Sequence, residues 1–292
     1  MGGMFGESKY DILKKIPEAY RPNTVLIKMP ATKTDVMKAL LENSFSLPVI
    51  FKPDLGERGF MVKRIRSKAD VELYLQIIEH DFLIQDLVDL PLEFGVFYVR
   101  HPSEKAGRVT SIVMKEMLAI TGDGTSTLAT LILAKDRAKL QWPVLHKTFR
   151  DRLSEIVPAG KTIELVSIGN HCLGTTFLDA SHLISDQMSA SFDRISLQIE
   201  GFYFGRFDLR CQSVDDLTNG NVQIMELNGC GAEPAHIYQP GFPFFKAVGI
   251  MVTHWRNIFS IAQENHRRGV PFVSLADGVR YYKKFKKATR IA

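Results

Sequence analysis

The sequence predicts an α+β fold. Short β-rich runs and amphipathic helical stretches are interspersed along the chain. Its 292 residues suit one large domain or two ordinary ones. Apolar residues make up 45% and charged residues 24%, the composition of a globular protein that can bury a sizeable core without staples.

Each element follows from a local pattern. Thr24–Lys28 is β-rich and reads as a strand. Lys33–Glu42 reads as a helix, with Thr32 as its N-cap. Leu47–Lys52 and Phe60–Ile65 read as strands joined by the loop Pro53–Gly59. Ser67 and Asp70 have capping-box spacing, and Val71, Tyr74, Leu75 and Ile78 then recur at helical spacing. Phe82–Val88, Glu93–Arg100 and Val109–Ile120 read as strands, and Thr125–Ala138 as a helix. Lys161–Val166 and Gly174–Asp179 read as extended, and Asp186–Glu200 as helical. Phe202–Arg210 and Val222–Leu227 read as strands, with Asn219-Gly220 as a turn signal between them. Phe245–Arg267 reads as a long amphipathic helix. Its stripe of Val248, Met251, Val252, Trp255, Ile258 and Phe259 is expected to lie in the core.

Charge and cysteine usage narrow the class. The net charge is +5, unevenly placed: from Arg267 onward there are eight basic residues and one acid, Asp277. Tyr281–Lys287 could touch nucleic acid or anionic lipid. A solvated segment, or a helix packing its aromatics, is the expectation for such a run. The three cysteines show no CxxC and no paired spacing, which argues against a disulfide framework or a zinc site. Reduced thiols imply a cytoplasmic protein. Cys230 is expected to be a small filler. No apolar run reaches the roughly eighteen residues of a membrane helix. Met1-Gly2-Gly3-Met4 has neither the basic nor the apolar region of a signal peptide.

Three constellations carry chemistry. In the first, Lys52 ends an apolar strand, so its ammonium emerges at the strand end. The loop after it holds Gly56 and Gly59 and returns into a strand, as a glycine-rich flap over phosphates would. A Walker P-loop opens a helix and is excluded. In the second, strand alternation puts Arg206, Asp208 and Arg210 on one face, and Glu226 and Asn228 on one face of a later strand. If the two strands pair, Asp208, Glu226 and Asn228 converge. Two carboxylates and an amide oxygen are hard ligands suited to Mg²⁺ completed by phosphates. Arg206 beside them is a permanent cation. The glycine turn Gly229-Cys230-Gly231 follows directly. In the third, Phe82–Val88 followed by Glu93 could offer backbone groups to an adenine edge and a carboxylate to a ribose.

The order of these motifs resembles the ATP-grasp superfamily, and within it the carboxylate–amine ligases of the D-alanine–D-alanine ligase and cyanophycin synthetase type. Thr121–Thr127, Val157–Gly160, Gly169-Asn170 and Gly174-Thr175 are similar to segments of the latter. The resemblance covers roughly residues 5–265 and implies two α+β subdomains clasping ATP. They would span 22–86, with the glycine-rich flap, and 87–265, with the metal site. Residues 1–21 would be a connecting remnant and 266–292 a basic tail. The separate domain that precedes this fold in such ligases is expected to be absent. The resemblance implies that Lys52 binds phosphates, joined by Lys9 and Lys115, with Gly56, Arg58 and Gly59 in the flap. Gln85 stands where a glutamate usually reads adenine. Leu87 and Val88 would line the base, and Glu93 would bind ribose. Asp208, Glu226 and Asn228 would hold Mg²⁺ or Mn²⁺, and Arg206 would steady the acyl phosphate. Gly229, Gly231, Glu233 and His236 would line the acceptor side. The implied activity is ATP-dependent amide formation between a small-molecule carboxylate and an amine. A non-catalytic nucleotide-binding module and an ATP-grasp kinase are the alternatives. A homodimer is a candidate state; nucleic acid and membrane are not expected as partners.

Overall fold

The computed structural model describes residues 6–56, 59–166, 169 and 174–288, with 284, 287 and 288 described in backbone only. The chain packs as two compact units, Met1–Met114 with Asp179–Ala292, and Lys115–Leu178.

The first unit opens with α1 (Lys9–Leu13), capped by the Ser8 hydroxyl, which accepts from the Asp11 N–H. β1 (Thr24–Ile27) leads to α2 (Lys33–Glu42). At its start the Thr32 hydroxyl accepts from the Asp35 N–H, and the Asp35 carboxylate accepts from the Thr32 N–H. Two orphan donors of the first turn are thereby satisfied. β2 (Val49–Pro53), β3 (Lys63–Ile65), α3 (Lys68–Leu75) and β4 (Phe82–Asp86) follow, and Ser67 with Asp70 closes the same reciprocal cap on α3. The strand expected from Phe60 starts only at Lys63, because Met61 has φ 51° and cannot continue an extended run. These strands form an antiparallel sheet in the order β1–β4–β2–β3. Val36, Leu40 and Val71 pack on it beside Phe51, Tyr74 and Phe82, whose ring centroids lie 5.2–5.3 Å apart.

β5 (Leu92–Val99) and β6 (Arg108–Glu116) lead out of the first unit. The second unit contains β7 (Ala119–Thr121), α4 (Leu128–Ala134), α5 (Asp136–Leu140), α6 (Trp142–Thr148), β8 (Thr162–Glu164) and the start of β9 (Thr176–Asp179). β7 pairs with β8, and Leu128, Ile132, Leu145, Val157 and Ile163 are buried together. The single helix expected over Thr125–Ala138 is two. Lys135 between them is extended (φ −94°, ψ 114°), its N–H closing the first helix on Ile132 O and its ammonium donating to Ala119 O at 2.8 Å.

The chain completes the first unit with α7 (Asp186–Ser196), β10 (Phe204–Cys211), α8 (Val214–Asn219), β11 (Gln223–Asn228), α9 (Phe244–Arg267) and α10 (Leu275–Ala288). Asn219-Gly220 ends a helix rather than making a hairpin turn: Ser213 caps α8 and Gly220 closes it with φ 79°. In the second sheet β11, β10, β5 and β6 lie side by side, antiparallel. Phe207 and Leu209, with Ile224 and Leu227 brought to the same face by a register shift at Asp208/Leu209, bury against Met188 and Phe192 of α7. The opposite face, bearing Arg206, Asp208 and Arg210, is thereby left for chemistry.

The stripe on α9 is not core. Val248, Val252, Trp255 and Phe259 are exposed, Trp255 by 46%, and Met251 and Ile258 are half-buried. The buried side of α9 is instead His254 and Ile261, with the His254 ring 5.2 Å from Phe97 and 4.9 Å from Phe204. A narrow aromatic seam replaces the aliphatic face that hydropathy selects. At its far end Glu264 accepts from the Ser103 N–H at 3.0 Å and pairs with His101 at 3.0 Å.

Candidate active site

The centre is built where β10 and β11 pair. Their register sets Asp208 opposite Glu226 and Arg206 opposite Asn228, so all four share one face. Arg206 grips Asp208 with two hydrogen bonds, Nε to Oδ1 at 3.0 Å and Nη2 to Oδ2 at 3.1 Å. Its Nη1 donates to Glu233 O at 3.0 Å, tying the segment after the glycine turn to the sheet. Burial opposes the Arg206 charge, but Asp208 and Glu226 outweigh it and hold its pKa above the ordinary value. Asn228 Nδ2 donates to Asp208 Oδ2 at 2.9 Å.

Lys52 comes to this centre from the other sheet. It sits near the end of β2, 6% exposed, and its ammonium donates to Gln85 Oε1 at 2.9 Å and to Met225 O at 3.0 Å. Burial lowers its pKa to about 8, against the pull of Glu226, Asp208 and Asp54. Gln85 is oriented in turn. The Thr24 hydroxyl donates to Pro22 O, so its oxygen accepts from Gln85 Nε2 at 3.0 Å, which leaves the Gln85 oxygen for Lys52. Lys9 lies over the loop after β2, its ammonium bonded to Gly56 O and its N–H to Asp54 O at 3.2 Å. Asp54 Oδ1 accepts from Ser8 Oγ and the Tyr10 N–H, so the start of α1 secures the base of the loop. Gly59 follows with φ 72°, and Arg58 lies outside the described residues.

The other expected residues are distributed around this centre. Glu93 stands opposite Arg210 on the neighbouring strand, and its Oε2 accepts from Arg210 Nε at 2.9 Å. Arg210 Nη1 also donates to Val88 O at 3.1 Å, so one guanidinium ties the carboxylate to the chain after β4. Leu87 beside it is half-buried. Lys115 lies on β6 within the second unit. Gly229 is buried and Gly231 exposed in the turn after β11. The exposed Glu233 accepts from the Tyr238 hydroxyl. His236 is 7% exposed, and its Nδ1 has no hydrogen-bond partner among the described residues. Burial lowers its pKa, opposed by Asp179 and assisted by Lys246.

Two glycines belong to the site although their residue type alone does not announce it. Gly95 on β5 is opposite Asp208, and a Cβ there would lie 3.1 Å from Arg206 Cδ and 3.2 Å from Asp208 Oδ1. A Cβ on Gly205 would meet Asn228 O at 2.3 Å. Both let backbones and charged groups crowd the reactive face.

Among the described residues no three His, Cys, Asp or Glu side chains cluster as a metal site. The set here is two carboxylates and one amide, all with hard oxygens, and Asp208 is 6% exposed beside the partner strand. That donor set fits Mg²⁺, which binds one or two carboxylates and takes its remaining ligands from water and phosphate.

No protein-family model matches the chain, and no curated protein matches it. It is similar to several solved structures. The VanG D-Ala:D-Ser ligase from Enterococcus faecalis superposes with a TM-score of 0.46 at 12% identity, over 86% of this chain and 62% of that one. The D-alanine–D-alanine ligase from Bacillus anthracis gives 0.46 at 12%, over 90% and 68%. The bifunctional glutathione synthetase from Pasteurella multocida gives 0.39 at 13%, over 85% and 35%. The chain thus spans between 35% and 68% of the length of these proteins.

Proposed function

We propose that the chain is an ATP- and Mg²⁺-dependent carboxylate–amine ligase, of the D-alanine–D-alanine ligase kind, working through an acyl phosphate. One observation carries the reading. Arg206, Asp208, Glu226 and Asn228 share one face of β10 and β11, and the buried cation Lys52 reaches Met225 O, next to Glu226, from the other sheet. A site assembled from cations and carboxylates suits phosphoryl transfer, where positioning and charge stabilisation do the work.

In the proposed reaction a carboxylate oxygen of the acid forms a bond to the γ-phosphorus of ATP, and ADP leaves. The amine then attacks the acyl carbon, loses a proton, and expels phosphate. Lys52 and Lys9 would bind the phosphates, and Gly56, Arg58 and Gly59 would cover them. Gln85, Leu87 and Val88 would hold the base, and Glu93 the ribose, with Arg210 fixing the carboxylate. Asp208, Glu226 and Asn228 would hold Mg²⁺, which when bound neutralises charge on the β- and γ-phosphates. Arg206 would face the anionic oxygens of the acyl phosphate. Glu233 and His236 would orient the amine. His236 suits a proton acceptor in that place, because burial favours its neutral form.

The test is ADP formation with a panel of amino acids as acid and amine, with hydroxylamine as a trap for the acyl phosphate. The expected result is ADP release that depends on the acid, with an amide or hydroxamate detected by mass. Phosphorylated product that accumulates regardless of amine would make the protein a kinase. Nucleotide binding without turnover would make it a binding module. Glu226→Ala should remove turnover while the circular dichroism spectrum stays that of the wild type.

A further inference from the structure

We propose that the C-terminal segment from Val270 to Lys287 docks the protein on an anionic phospholipid surface. Two properties of the segment meet there. The first is exposed apolar surface: Val270, Phe272, Val273, Leu275 and Val279 are 45% to 86% exposed. They lie within ten positions of one another, unlike the scattered single hydrophobics of an ordinary surface. Their placement is built rather than frayed. The Phe272 ring stacks on His266 at 4.1 Å and 19°, and His266 Nδ1 lies 3.1 Å from Val270 O. The link from α9 to α10 is therefore held in one shape with its apolar side chains uncovered.

The second property is charge. Between Val270 and Lys287 there are five basic residues and one acid, and Arg267 and Arg268 stand just before them. The acid, Asp277, is already committed, bonded to Ser274 and paired with Arg280 at 2.6 Å. On α10, Leu275, Val279 and Tyr282 recur at helical spacing along one face, with Arg280 and Lys283 on its flank. A different side of α10 backs onto the start of the chain, where a Cβ on Gly6 would lie 3.4 Å from Phe285 Cβ and 3.6 Å from Tyr281 O. The face bearing Leu275 and Val279 is left outward.

The combination selects the partner. A phosphate backbone would attract the cations but give no return for uncovered valine, leucine and phenylalanine. An anionic bilayer takes both, with cations at the headgroups and apolar side chains at the acyl boundary. The helix would lie on the surface, since no helix among the described residues is long and apolar enough to cross a membrane.

The test is co-sedimentation of the full chain with vesicles of phosphatidylcholine containing phosphatidylserine, against vesicles of phosphatidylcholine alone. The expected result is binding to the anionic vesicles only, falling as salt rises. Lys283→Gln and Lys286→Gln should each weaken it about five-fold. Phe272→Ser with Leu275→Ser should weaken it at unchanged charge. All four side chains are exposed, so these variants should keep the wild-type circular dichroism spectrum. No binding to anionic vesicles overturns the proposal, and so does equal binding to both kinds. Binding that ignores Phe272→Ser and Leu275→Ser but is competed away by duplex DNA would reassign the surface to nucleic acid.

Discussion

Lys52 is a buried cation whose two hydrogen-bond acceptors, Gln85 Oε1 and Met225 O, are both neutral. Its pKa of about 8 makes two predictions of opposite sign. Between pH 8 and the ordinary lysine value Lys52 is more protonated in the unfolded chain than in the folded one, so its own contribution to stability should rise with pH across that window, against the opposite contribution of the Cys211 thiol, which burial pushes up to about 11. Nucleotide affinity should fall through the same window, because phosphate attracts only the charged ammonium. The difference between wild type and Lys52→Met isolates both contributions; urea unfolding and nucleotide titration of the two proteins over that range decide it, and curves of the same slope in both would sink the assignment. Gly95→Ala should act differently. Its Cβ would lie 2.8 Å from Val113 Cγ1 as well as against Arg206 and Asp208. It should cost ~1–3 kcal/mol of stability, with turnover falling further than the nucleotide affinity. At this scale the sequence discloses side chains and hides backbone. Alternation alone puts Arg206 with Asp208 and Glu226 with Asn228. Nothing in residue type signals that Lys52 bonds the carbonyl of Met225, or that Gly95 matters for the side chain it lacks.

Elements with local punctuation are legible to the residue. Thr32 and Ser67 mark the starts of α2 and α3 because each cap is a closed pair of hydrogen bonds within four residues. Thr32→Ala should cost ~1 kcal/mol in thermal or urea unfolding. Elements decided by packing are less legible. The apolar stripe of α9 has the right period for a core, yet the helix buries the side bearing His254, because Phe97 and Phe204 offer that ring an aromatic slot. Ile261→Ala should therefore cost ~2–5 kcal/mol. Trp255→Ser, on the uncovered face, should stay within about 0.5 kcal/mol of the wild type. A large loss at Trp255, growing with protein concentration, would mean that another copy covers the stripe in solution. The break at Lys135 and the hidden α8 have the same origin. A carbonyl of β7 captures one lysine, and a Ser213 cap paired with Gly220 makes a helix too short for periodicity to register.

At the scale of the molecule the proposed site joins parts far apart in the chain. Lys52 and Met225 are separated by 173 positions, and the whole second unit is inserted between them. Such a site exists only when the first unit is folded, so a ligand that occupies it must stabilise that unit as a whole. Mg·ATP at about 100 times its dissociation constant should add ~2.7 kcal/mol and raise the thermal midpoint by several degrees. The effect should need both components, because the carboxylates Asp208 and Glu226 repel a bare triphosphate. Glu226→Ala should thus lose the dependence on Mg²⁺ while keeping its own midpoint near that of the wild type, since Glu226 is only half-buried. Hydrogen exchange locates the same coupling. Protection by Mg·ATP should appear together in Val49–Pro53 of one sheet and in Phe204–Cys211 and Gln223–Asn228 of the other. Protection confined to one sheet would show that nucleotide does not join Lys52 to the Asp208–Glu226 face, and the ligase reading would fall with it.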